Sequence, residues 1–77
     1  MQVLITHNTD YRIEGEVCTA VRPHAEGGWK TQHPAVGRKL LGAIEMGSGF
    51  AFGRMPRIGM RLVFSDDLMT SPVVAIV

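Results

Sequence analysis

The chain reads as a mainly β protein: one small domain, built as a five- to six-stranded barrel or rolled antiparallel sheet of the SH3-like or OB-like kind. Three observations lead there. Pro34-Ala35-Val36-Gly37-Arg38-Lys39-Leu40-Leu41 returns twenty-two residues later as Pro56-Arg57-Ile58-Gly59-Met60-Arg61-Leu62-Val63. In each copy a proline with fixed φ and a glycine free to take φ > 0 suit a turn, and the apolar pair that follows can enter a sheet. The second observation is the period-2 alternation over Tyr11–Val21. The third is a set of short apolar runs, each bounded by turn residues.

Taken in order, Val3-Leu4-Ile5-Thr6 is a β-branched run ended by the turn-rich His7-Asn8-Thr9-Asp10. Tyr11, Ile13, Gly15, Val17, Thr19 and Val21 then fall on one face of a single long strand. Arg12, Glu14, Glu16, Cys18, Ala20 and Arg22 fall on the other, as in a sheet over one core. Gly15 on the inner face suggests a bulge or a sharp coil. The stretch Arg22-Pro23-His24-Ala25-Glu26-Gly27-Gly28 reads as an exposed loop leading to Trp29.

The stretch Val36–Met46 is open to two readings. Val36, Leu40, Leu41 and Ile44 have helical spacing, with Pro34 at a helix start and Gly47 at its end. Gly37 and Gly42 oppose a helix at about 1 kcal/mol each, and the repeated copy alternates Met60, Leu62 and Phe64 as a strand does. We therefore assign Leu40–Met46 to a strand. Gly47-Ser48-Gly49 makes a hairpin turn into Phe50-Ala51-Phe52, and Ser65-Asp66-Asp67 turns the chain again. The closing Val73-Val74-Ala75-Ile76-Val77 is apolar on both faces, which fits a central strand or an edge covered by another subunit.

Composition narrows the function classes. A 77-residue chain buries a modest core, and the lone Cys18 allows no intrachain disulfide. A self-associating surface is the expected remedy, with Val73, Val74 and Ile76 as interface candidates. His7, His24 and His33 are scattered without metal-ligand spacing, so no metal or other cofactor is expected. The single thiol and the lack of a leader or a membrane-length apolar run fit a cytoplasmic, non-membrane protein. Charge is unevenly spread: residues 30–61 hold Lys30, Arg38, Lys39, Arg54, Arg57 and Arg61 against Glu45 alone, while Asp10, Glu14, Glu16, Glu26, Asp66 and Asp67 lie outside. Such a basic middle either pairs with the acidic ends after folding or meets an acidic partner.

Catalytic chemistry finds little to stand on. Ser48 and Ser71 lack the local motif of an activated nucleophile, Cys18 has no activating cation beside it in sequence, and Glu14 with Glu16 reads as a solvated strand face. No catalytic residue is assigned, and the chain is read as a non-enzyme. Gly49-Phe50-Ala51-Phe52 matches the centre of the aromatic signature of RNA-recognition motifs. The flanking cation and the following apolar-x-aromatic are missing, and Ser48, Gly53, Arg54 and Met55 stand there instead. Phe50 and Phe52 are thus candidates for base stacking, with Arg54, Arg57 and Arg61 for phosphate contact, or else ordinary hairpin residues. Trp29 either caps the core or is a binding hot spot.

Three phrases, Thr6-His7-Asn8-Thr9-Asp10-Tyr11, Gly27-Gly28-Trp29 with Val36-Gly37-Arg38, and Met69-Thr70-Ser71-Pro72-Val73-Val74, resemble those of small uncharacterised β-rich proteins encoded by bacteriophages and their actinobacterial hosts. The resemblance implies a phage or mobile-element accessory protein that binds a host component, and it carries over no site residue. The leading expectation is a homo-oligomeric interaction module with a protein partner. A small barrel that binds nucleic acid through its basic middle is the alternative.

Overall fold

A two-residue turn at Gly15-Glu16 divides the Tyr11–Val21 run into two strands, and this accounts for much of what the sequence leaves unseen. The structure, a computed structural model, describes residues 1–45, 49–52 and 56–77, the segment 49–52 as backbone only. Among these residues are seven strands: β1 (Gln2–Thr6), β2 (Thr9–Glu14), β3 (Val17–Pro23), β4 (Leu40–Glu45), β5 (Gly49–Phe52), β6 (Arg61–Phe64) and β7 (Leu68–Ile76). Each pairs antiparallel with its neighbours in the order β3-β2-β1-β7-β6-β4-β5. The rolled antiparallel sheet is therefore present, and no described residue is helical. The stretch that could have been helix is strand from Leu40 to Glu45. No helix among the described residues is long and apolar enough to cross a membrane.

The turn at Gly15 corrects the face assignment. Gly15 has φ 64° and Glu14 pairs with Val17, the pattern of a hairpin turn with glycine at its first central position. Opposed residues share a face, so Ile13 and Cys18 both point inward while Glu14 and Val17 point out. Cys18, expected on the wet face, is fully buried. A register shift opposite Arg12 and Ile13 then restores the phase, so that Tyr11 and Val21 face the core together. The bulge lies near Thr19 rather than at Gly15. Thr19 Oγ1 there accepts a 3.0 Å hydrogen bond from Arg12 Nε.

The sequence repeat is a structural repeat as well. In the first copy the Arg38 amide donates to the Ala35 carbonyl at 3.1 Å, and in the second Met60 donates to Arg57 at the same distance. Gly37 (φ 88°) and Gly59 (φ 93°) occupy the third position of each turn, where φ > 0 is required. Each turn then docks on one buried strand residue through a reciprocal pair of bonds. Gly37 donates to the Cys18 carbonyl and Cys18 to that of Arg38; Gly59 donates to Val73 and Val73 to Met60. The first docking also rolls the sheet, because Leu40 donates to the Glu16 carbonyl at 2.6 Å and joins the start of β4 to the start of β3.

Leu4, Tyr11, Ile13, Cys18, Val21, Ala35, Leu62, Phe64 and Val73 form the core, with Val36, Leu40 and Leu68 packed against it. Tyr11 and Phe64 lie with ring centroids 5.6 Å apart. The strand β7 extends well before Val73, through Pro72, to Leu68. Proline is tolerated there because the β6–β7 register shifts nearby. The hydroxyl of Thr70 stands in for a backbone acceptor at that irregularity, receiving the Leu62 amide at 3.1 Å.

Since β7 lies between β1 and β6, the tail is a central strand. Val73 is 1% exposed within the chain's own core, which removes it from the interface candidates.

Candidate functional site

Two described surfaces carry side chains that a partner could meet. The first is on the outer side of β2 and β3. Val21 exchanges backbone hydrogen bonds with Lys30, at 2.9 and 2.7 Å, so the segment after the loop runs back along the edge of β3. Trp29 is thereby held 39% exposed and does not cap the core. The Arg22 guanidinium lies 4.7 Å and that of Arg12 5.6 Å from its ring centroid, within the range of cation–π attraction.

Arg22 is itself oriented by Asp10, whose side chain is almost fully buried. Arg22 Nε and Nη2 both reach Asp10 Oδ2, at 2.8 and 2.7 Å, and His24 Nε2 meets Oδ1 at 2.6 Å. Burial pushes the Asp10 carboxyl up, but the hydrogen bonds and charges of His24 and Arg22 outweigh it and hold the group below its ordinary value. Asp10 is thus an anchored anion that fixes the loop and, through Arg22, the indole. A shallow depression beside it is lined by Trp29, Lys30, Thr31 and Gln32. Sequence reasoning passed over Asp10, Arg22 and His24. Asp10 stands two residues before Arg12 on the outer face of β2, and only the hairpin brings it opposite Arg22.

The second surface follows β7 and the turn bonded to it. Ile58 (67% exposed), Met69, Val74 (50%), Ile76 and Val77 account for five of the eight large apolar side chains exposed among the described residues. Val74 is the extra residue where the β1–β7 register shifts between Ile5–Ala75 and Thr6–Val73, and it points outward as the neighbour of the buried Val73. Val74 and Ile76 are therefore accessible, as an interface requires. Ile58 was not singled out in the sequence. Its counterpart in the first copy, Val36, packs on the core, so the repeat does not reveal that the second turn exposes this position.

Two of the basic candidates border this surface: Arg57 precedes Ile58 in the docked turn, and Arg61 on β6 opposes Pro72 of β7. Arg57 Nη2 lies 3.3 Å from Glu45 Oε2 in an exposed ion pair, and Arg61 is exposed on β6. Arg54 and the hairpin turn expected at Gly47 and Ser48 lie outside the described residues. Phe50 and Phe52 are strand residues of β5, whose side chains lie outside the description too. Register sets Phe50 opposite Ile44, and Ile44 opposite Arg61, so one cross-strand row holds an aromatic and a cationic position two strands apart, about 9–10 Å.

The thiol of Cys18 donates to the Ala20 carbonyl at 3.6 Å, and burial pushes its pKa up. Among the described residues no three His, Cys, Asp or Glu side chains come together as a metal site would need. No family model, curated protein or solved structure matches this chain.

Proposed function

We propose that this chain is a non-enzymatic interaction module that binds another protein and associates with itself, an accessory protein of phage or mobile-element origin. The observation that supports it best is the run of exposed apolar side chains along β7 and its docked turn, Ile58, Met69, Val74, Ile76 and Val77. Single exposed apolar residues are ordinary on a surface, and the register divides these between the two sides of β7, with Ile76 opposite the core residue Leu4 and Met69 opposite Val63. The support is their concentration along one strand and the turn bonded to it. The accessory role rests on the resemblance of the turn-and-strand phrases to those of phage-encoded proteins.

The experiment is affinity capture from a host extract with the native chain and with a variant carrying Ile58→Asp and Val74→Asp. Both positions are half exposed or more, so the variant should fold. A protein captured by the native chain and lost with the variant supports the reading, and an unchanged capture profile overturns it.

A second reading, binding of nucleic acid, is favoured by the row of Phe50, Ile44 and Arg61. There an aromatic position for stacking and a cation for phosphate share one face of the sheet.

A further inference from the structure

The two ends of the sheet are treated differently. At the β3 end, backbone from elsewhere in the chain bridges the strand. Val21 pairs with Lys30 and Val17 with Lys39, so two lysines stand along that edge and much of its hydrogen bonding is used internally. Covering backbone and lysines are the usual means by which an edge is kept from pairing with another chain. At the other end stands β5. Among the described residues it pairs only with β4, in a regular register of four residue pairs without a bulge. Its sequence, Gly49-Phe50-Ala51-Phe52, contains no lysine, no proline and no charge. Among the described residues neither a lysine nor a covering backbone segment stands along it.

The sequence of this edge strand is also its own mirror. Gly49-Phe50-Ala51-Phe52-Gly53 reads the same in both directions about Ala51. In an antiparallel pair related by a two-fold axis, residue i of one chain opposes residue j of the other and j opposes i. An axis through Ala51 therefore sets Ala51 against itself and each Phe50 against a Phe52. The result is two aromatic cross-strand pairs, among the more favourable neighbours in a sheet.

We propose that β5 is the docking edge for a second copy of this chain, the two strands pairing antiparallel about a two-fold axis at Ala51. The proposal rests on the self-association in the function proposed above and locates it. The tail cannot supply such an edge, since both neighbours of β7 are strands of the same chain. Four residues a side bury less than the roughly 1,600 Å² of a standard interface, so the dimer is a weak one, formed at about 100 μM chain.

Light scattering on the full chain at about 100 μM should give the dimer mass, and the monomer mass would overturn both self-association and this proposal. Under mild oxidation Ala51→Cys should give a disulfide-linked dimer, because the axis places the two thiols face to face, while the native Cys18 is buried. Val74→Cys should not. Cross-linking of Val74→Cys without that of Ala51→Cys would retain self-association and overturn the edge. Two further variants test the register at equal burden of substitution. Phe50→Lys with Phe52→Glu opposes unlike charges across the axis and should keep the dimer. Phe50→Glu with Phe52→Glu opposes like charges twice and should raise the dissociation constant about tenfold or more. Circular dichroism confirms that both fold, and equal association of the two would overturn the proposed register.

Discussion

Asp10 shows how much one residue decides at this scale. A carboxylate removed from water is costly unless its charge is answered, and here Arg22 and His24 answer both oxygens. Because the folded pKa is lowered from 3.8, the group stabilises the fold fully above that value and ceases to do so as pH falls through its lower folded value. Urea denaturation of the native chain and of Asp10→Asn should differ by about 1–3 kcal/mol near neutral pH, the usual worth of hydrogen bonds to a charged group. The difference should shrink as the pH is taken below 4. A constant difference across that range would show that the carboxylate's charge is not what Arg22 and His24 recognise. The sequence could not disclose this: Asp10 reads as a turn residue after Asn8, and its partners lie 12 and 14 positions away across a hairpin.

At the level of elements, legibility followed the locality of the cause. The repeat was readable because a proline and a glycine three positions apart dictate a turn from their own backbone preferences, and both copies form one. The alternation over Tyr11–Val21 was misread because a two-residue turn conserves an apparent period of two while reversing the faces beyond it. Only the bulge near Thr19 brings Val21 back into phase. Of the candidate site, the tail read as a central strand or a covered edge. Its pairing with both β1 and β6 makes it central and buries Val73, which the sequence alone could not decide because alternation says nothing of how many strands flank β7.

The two glycines give this scale its test. A Cβ added at Gly37 or Gly59 would meet nothing within 4 Å, so substitution there probes backbone conformation alone. Gly37→Ala and Gly59→Ala should each cost about 1–2 kcal/mol in urea denaturation, the penalty of a left-handed conformation for an L-residue. Gly28→Ala, which has neither a positive φ nor a close neighbour, should cost little. Equal effects at all three would mean that the turns do not require glycine.

For the whole molecule, the question is which face does the work, and charge separates the two readings. The apolar run on β7 would bind a protein with little dependence on salt, because its contacts release no counterions. The basic middle would bind a single strand by displacing them, with a slope of log K against log salt of about −0.7 per phosphate contact, hence about −2 for Arg54, Arg57 and Arg61 together. The ion pair of Arg57 with Glu45 does not prevent this. Both side chains are more than half exposed, and such pairs are worth about 1 kcal/mol or less. Arg57→Glu with Arg61→Glu should then reduce the slope to about −0.7 while leaving the fold intact, as neither residue belongs to the core. Removal of a stacking aromatic, Phe50→Ala, should weaken binding by about 1–3 kcal/mol and leave the slope unchanged. The proposed function expects instead that titration with single-stranded DNA, RNA or duplex at low salt gives no binding, and that capture of a protein partner survives both arginine reversals. Binding with the steep slope, abolished by those reversals, would transfer the function from the apolar run along β7 to the row of Arg61, Ile44 and Phe50.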